Sequence, residues 1–476
     1  MTRALVWLRR DLRVADNPAL YHAANACKQG VLGVYLISPG QWKDHDDAPC
    51  KIDFWIRNLS KLKRELEKLN IPLVIATAHR FDQAEPVLSA LAIRHGCDAL
   101  YFNREYEVNE RRRDEVVTER LEAKDITVRS FTDRVVLEPG DVLTKANSYY
   151  RVFTPFKRRW LAVAEEQGVE ALPAPPRQER LGIESSPIPK AVEGFTGLGI
   201  DPGLWPAGEV HAEERLDRFM AERIDRYHMD RDRPAIDGTS TLSPYLAAGV
   251  ISPRQCLEAA LEVNRGRLDS GKEGPLAWMS ELIWREFYQH VLVGFPRVSM
   301  HQPFREETDR IIWNDDEERF QAWCRGRTGY PIVDAAIRQL LRTGWMHNRL
   351  RMITAMFLTK DLFMDWRRGE RFFMQNLIDG DLGSNNGGWQ WSASTGTDAA
   401  PYFRVLNPTR QSRKWDPDGA FLRRHLPELD ELDDEVIHDP PGLPTGVRER
   451  LGYPGPIVDH AAARKLAVDR FRDALG

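Results

Sequence analysis

Four segments carry side chains whose types and spacing could do chemistry. Gly238–Gly249 (GTSTLSPYLAAG) brings the hydroxyls of Thr239, Ser240 and Ser243 to what reads as the start of a helix. Unpaired N–H groups and the helix dipole make such a start an anion site, suited to a cofactor pyrophosphate; helix capping is the plainer account. Glu281–Tyr288 (ELIWREFY) puts Glu281, Trp284, Arg285 and Tyr288 on one helical face, with Met279, Ile283, Phe287 and His290 opposite. Such a face can stack a flat ligand and hydrogen-bond its edge, although an ion pair beside a partly buried tryptophan has the same pattern. In Gly344–Met352 (GWMHNRLRM) one helix ends at Gly344 and a second places Asn348, Arg351 and Met352 on one face. Asp379–Trp391 (DGDLGSNNGGWQW) offers acceptors at Asp379 and Asp381, an amide at Asn385, and glycines that admit close backbone approach; a plain polar loop is the alternative. Its spacing fails for calcium, since the twelfth position is Gln390 where a glutamate is needed.

Charge and aromatic content add two clues. Arg338–Arg371 holds eight basic and three acidic residues, and Ala400–Trp415 adds Arg404, Arg410, Arg413 and Lys414 with no acid. These are candidate phosphate contacts or a solvated face. Nine of the 14 tryptophans fall between Trp278 and Trp415, as a helical core, a base-stacking surface or an electron relay would require.

These segments must be positioned by a chain of 476 residues with 42% hydrophobic and 29% charged residues, which excludes a disordered or collagen-like protein. A net charge of −4 means that any nucleic-acid site is a local basic patch. Five scattered cysteines form no CxxC pair or disulfide framework, and the 12 histidines show no metal-ligand spacing, so no metal is expected. No run approaches the ~20 apolar residues of a membrane span, and the N-terminus lacks a signal h-region. The expectation is a soluble cytoplasmic protein in a reducing compartment.

Short apolar runs at 4–8, 31–37, 72–76, 99–102 and 126–131 read as strands, and 52–69 and 109–123 as helices. This alternation predicts a mostly parallel sheet covered by helices, without the GxGxxG of a dinucleotide site. Seven prolines in 171–206 mark a surface linker. Beyond it the pattern is helical. Residues 211–226 place Ala212, Leu216, Phe219 and Met220 on one face, and Ser243-Pro244 and Ser252-Pro253 both resemble an N-cap serine with proline following.

Taken together, from WLRRDLRVADNPAL to DAAPYFRVLNPTRQSRKWDPDG, the chain resembles the photolyase/cryptochrome family, and within it the class I cyclobutane pyrimidine dimer (CPD) photolyases. The resemblance implies a Rossmann-like α/β antenna domain (1–131), an interdomain linker (132–206) and an all-α domain (207–476) that binds FAD and DNA. It implies FAD contacts at Tyr227, Thr239, Ser240, Leu242, Ser243, Trp345, Asn348, Arg351, Asp379, Asp381 and Asn385. Among these, Arg351 and Asp379 resemble an ion pair beside the flavin ring, and Asn385 the residue facing its central nitrogen. Glu281, Trp284, Asn348, Met352 and Trp391 resemble the pocket for the dimer. Arg231, Arg349 and Arg404 resemble phosphate contacts, and Trp389, Trp366 and Trp313 an electron relay.

The activity implied is light-driven splitting of the flipped-out dimer by an electron from reduced FAD, in a monomer acting on damaged DNA. A cryptochrome-like blue-light photoreceptor is the alternative. His45, Asn109 and Glu110 resemble the binding positions of a methenyltetrahydrofolate antenna, although Met300 stands where a lysine is expected. Thr241 stands where many relatives carry arginine.

Overall fold

The computed structural model describes residues 2–195, 200–439 and 442–475, so residues 196–199 of the expected linker lie outside the described residues. The N-terminal region is a Rossmann-like α/β domain and the C-terminal region is all-α. Five strands, β1 (Ala4–Leu8), β2 (Val31–Ile37), β3 (Leu73–Thr77), β4 (Ala99–Asn103) and β5 (Thr127–Phe131), form one parallel sheet in the order β3-β2-β1-β4-β5. β1, β2 and β4 are buried along their whole length, which explains their unbroken apolar runs: both faces are covered, so no polar alternation is needed. β3 starts one residue later than its hydrophobic run suggests, because Pro72 has no N–H to give the ladder.

The helices used below are α1 (Pro49–Lys68), α2 (Val108–Glu122), α3 (Glu209–Glu222), α4 (Ser243–Ala248), α5 (Pro253–Val263), α6 (Glu273–Gly294), α7 (Pro331–Thr343), α8 (Asn348–Met356), α9 (Trp366–Met374), α10 (Leu382–Ala393) and α11 (His460–Leu475). By compactness the chain divides into two units. A sheet unit holds residues 1–225, 240–296 and 378–380; a helical unit holds 226–239, 297–377 and 381–476.

In the sheet unit, no helix or strand lies between Gln167 and Glu209 among the described residues, as the proline content requires. The segment is nonetheless docked on the sheet: Gln178 Nε2 donates to the Val31 carbonyl at 2.9 Å, and Ser186 N to the Leu73 carbonyl at 2.8 Å. Ser252 caps α5 in a capping box with Gln255. Ser243 differs from the expected cap: Leu242 is the N-cap of α4, and Ser243 is its first residue.

In the helical unit, α7 ends at Gly344 with φ +70°, where a glycine is at ease, and α8 starts after the cap His347. Met346, Leu350, Ile353, Trp366, Phe373 and Trp389 belong to one apolar core. Residues 382–393 are a helix and not a glycine-rich loop. The Asp381 side chain accepts from Ser384 N at 3.0 Å, and this cap with the surrounding burial overrides the poor helix propensity of its glycines.

Candidate functional site

The sheet unit carries the hydroxyl loop, Asp379 and the Glu281 face. Ser243 Oγ donates to Asp379 Oδ2 at 2.6 Å, so the hydroxyl expected to cap a helix orients a carboxylate instead. Trp278 Nε1 donates to Ser240 Oγ at 3.4 Å, and Leu242 is buried. On α6 the expected faces appear: Glu281, Trp284, Arg285 and Tyr288 are half-buried, while Met279, Ile283, Phe287 and His290 are buried. The Trp284 indole stacks on Phe153, centroids 3.7 Å apart at 10°, which holds the ring rigidly. Lys157 has its pKa lowered by burial, opposed by the charge of Glu281.

The sheet unit also gathers the three antenna positions. His45 Nε2 lies 3.1 Å from Asn109 Nδ2 and 2.9 Å from Gln41 Nε2. Its Nδ1 lies 3.6 Å from Glu110 Oε1. Burial and the nearby Glu107 raise the pKa of Glu110. Met300, in the helical unit, is exposed.

The helical unit carries the remaining positions. Tyr227 is buried beneath the Arg231 guanidinium, 5.6 Å from its ring centroid. Thr239 follows Gly238, where a Cβ would come within 2.8 Å of the Asp230 Cβ; only glycine lets the loop pass so close. Trp345 is half-buried, Asn348 is exposed, and Arg351 and Met352 are half-buried on α8. Arg351 Nε donates to the Met346 carbonyl at 2.8 Å. Burial lowers the pKa of His347 to about 4, so its Nδ1 stays unprotonated and accepts from Arg349 N at 3.2 Å.

Asp381 and Asn385 are buried at the start of α10. Asn385 Nδ2 donates to the Glu370 carbonyl at 3.0 Å, which turns Oδ1 the other way as an acceptor. Glu370 is itself held, by Asn386 Nδ2 at 2.9 Å and His301 Nδ1 at 3.1 Å. Trp389 packs against α9 at Gly369, one turn beyond Trp366; a Cβ at Gly369 would overlap its ring. Trp389 and Trp366 are buried, and Trp313 is half-exposed against Phe363, with 5.1 Å between centroids.

Two of the three expected phosphate contacts, Arg349 and Arg404, differ in charge balance. Arg349 pairs with Asp232 at 2.8 Å and lies 4.8 Å from the Trp415 ring centroid. Arg404 is exposed, 5.9 Å from the Trp391 ring centroid, and among the described residues has no carboxylate within 4.0 Å. Much of the basic run at 338–371 is neutralised: Arg338 pairs with Glu428, Arg367 with Asp309, and Arg368 with Asp315, while Lys360 is buried. Counting charges along the chain therefore overstates this patch.

Residues 4–177 match the family model of DNA photolyase, and residues 278–473 that of the FAD binding domain of DNA photolyase. A deoxyribodipyrimidine photo-lyase of Salmonella typhimurium is 44% identical over 474 residues, 100% of this chain and 99% of its own. The chain belongs to the DNA photolyase family.

Within the family, the class I expectation is corrected. A crystal structure of a bacterial class III photolyase from Agrobacterium tumefaciens matches 100% of this chain and 98% of its own, with a TM-score of 0.86 at 35% identity. A deoxyribodipyrimidine photo-lyase of Agrobacterium fabrum is 37% identical over 98% of this chain and 97% of its own. The likeness is to class III, and blocks shared across the family do not separate its classes.

The residues fit the flavin this family binds. In the helical unit, the buried acceptor Asp381 at the start of α10 suits a ring N–H donor. The Oδ1 of Asn385, fixed as an acceptor by the bond from Nδ2 to Glu370, suits a ring nitrogen that carries hydrogen, as in reduced flavin.

Among the described residues, no helix is long and apolar enough to cross a membrane. Sequence reasoning missed Glu370, His347 and Asp232, which act on site residues from other turns or segments. Only the capping position of His347 before α8 left a local signal.

Proposed function

We propose that this chain repairs cyclobutane pyrimidine dimers in DNA under blue light. Repair of DNA photoproducts with FAD follows from its family; the dimer as lesion, its extrusion from the duplex and the roles of individual residues are the proposal. When bound in its reduced form, FAD would supply light-driven one-electron chemistry to the dimer, with the electron returned at the end so that no net redox change results.

Tyr227, Thr239, Ser240, Leu242, Ser243, Trp345, Asn348, Arg351, Asp379, Asp381 and Asn385 hold the cofactor. Asn385 carries the reading, because an acceptor fixed by its own N–H donation favours the hydrogen-bearing, reduced ring. Glu281 hydrogen-bonds the dimer, and Trp284, Trp391, Asn348 and Met352 enclose it. Stacking on an aromatic ring is worth about 1–3 kcal/mol per base, and a dimer, being poorly stacked in the duplex, is cheap to extrude. Arg231, Arg349 and Arg404 meet DNA phosphates. Trp389, Trp366 and Trp313 carry electrons inward to restore the reduced cofactor. His45, Asn109 and Glu110 hold a methenyltetrahydrofolate antenna in a cytoplasmic, monomeric enzyme.

The test is repair of an oligonucleotide with one thymine cyclobutane dimer by prereduced protein, in blue light and in the dark. Loss of the dimer only in the light is expected. No loss, with reduced FAD stably bound, would overturn the reading in favour of a cryptochrome-like photoreceptor.

A further inference from the structure

The segment Gly238–Gly249 contains no charged residue, although its hydroxyls are assigned here to the cofactor phosphates. The structure brings a cation to it from another element. Arg215, on α3, donates from Nη1 to Thr241 Oγ1, and Thr241 Oγ1 in turn donates to the Ser240 carbonyl at 2.8 Å. The guanidinium is positioned by two rings, with its carbon 5.4 Å from the Trp205 centroid and 5.6 Å from that of Tyr245. Among the described residues no carboxylate lies within 4.0 Å of it. Thr241 has φ +49°, a conformation a β-branched residue avoids, so the backbone is strained where its hydroxyl receives the guanidinium.

A half-buried arginine held by rings, a hydroxyl and, at 3.5 Å from Nη2, the Leu204 carbonyl, without a counter-ion, is arranged to accept an anion from outside the protein. We infer that Arg215 binds the pyrophosphate of the cofactor, replacing from α3 the arginine that the resemblance places at position 241. The inference rests on the FAD reading above. It names a binding residue with no motif of its own, since α3 reads as an ordinary amphipathic helix.

The test is the release rate of FAD from the full-length holoprotein, followed by flavin fluorescence at rising salt, in Arg215→Gln, Arg215→Lys and the double variant Arg215→Gln/Thr241→Arg. A charged hydrogen bond to phosphate predicts release about tenfold to a hundredfold faster in Arg215→Gln. It also predicts a flatter salt dependence, because one phosphate contact is gone. Arg215→Lys should fall between, and the double variant should recover most of the loss. Release at the unmodified rate would overturn the inference. So would faster release with unchanged salt dependence, which is the mark of a purely structural arginine. If the unmodified protein neither retains nor takes up FAD, the cofactor reading fails first and this inference with it.

Discussion

The arginine cluster after β1 in the sheet unit and Arg404 in the helical unit handle charge in opposite ways. In the sheet unit the arginines following β1, with Arg113 of α2, are locked among carboxylates: Arg9 bonds Asp114 at 2.6 Å, Arg10 bonds Glu107 at 2.8 Å, and Arg113 bonds Glu105 at 2.8 Å. Burial pushes the Glu105 carboxyl up, but Arg10, Arg9 and Arg113 together hold its pKa well below the ordinary value. In the helical unit Arg404 lies by Trp391 with no carboxylate within 4.0 Å among the described residues, while Arg349 lies by Trp415 and is also paired with Asp232. An interior pair satisfies its charge within the protein and fixes the fold. A ring supports a cation without neutralising it, so the charge stays available to a phosphate. The cluster after β1 therefore uses arginine as framework, whereas Arg404 in the helical unit, like Arg215 in the sheet unit, keeps its charge for binding.

The largest expected effect would break the framework half of this comparison. Glu105→Gln leaves Arg9, Arg10 and Arg113 short of a buried partner and should cost about 3–5 kcal/mol of stability in denaturant unfolding. A cost below about 1 kcal/mol would show the cluster to be loosely solvated.

Next is a pH dependence in the helical unit. Burial lowers His347 to about 4. Between that value and about 6.5 the unfolded chain binds the extra proton, so stability is complete above pH 6.5 and falls as pH drops towards 4. The loss should be on the order of 2–3 kcal/mol. His347→Asn, a cap that does not titrate, should flatten the slope across that window in unfolding measured at stepped pH.

A third prediction separates binding from electron supply. Trp389→Phe should slow photoreduction of oxidised FAD by more than about tenfold, a barrier change of about 1.4 kcal/mol, and leave repair by prereduced protein intact. Loss of both activities in a folded variant would remove Trp389 from the relay.

The smallest effect sharpens the contrast between the two arginines. Arg404→Ala should reduce the salt slope of DNA binding by about one unit. Arg349→Ala should reduce it less, because Arg349 exchanges Asp232 for the phosphate. Equal slopes would mean that Asp232 does not compete.

Much of the fold was legible because strand and helix patterns are local. The apolar runs marked the strands to within about a residue, and the spacing of Glu281, Trp284 and Tyr288 identified the half-buried face of α6. The proline-rich stretch is legible as lacking helix and strand, but not as docked, since the partners of Gln178, Val31 and Asn70, lie more than 100 residues away. A plain polar loop stood as the alternative for 379–391 because glycine lowers helix propensity, and the packing that makes 382–393 a helix is contributed by other helices. Class within the family is not legible in these motifs, because they are common to its members.

The sequence by itself determined which residue types are available for chemistry, the order of strands and helices, and membership of the family, since all three are written in short contiguous patterns. Tertiary structure alone decided which of those residues are free to act. It paired Arg349 with Asp232, neutralised half of the basic run, turned the Asn385 amide with Glu370 and brought Arg215 to Thr241. Charge and hydrogen bonding act through space, and chain separation does not encode the partner.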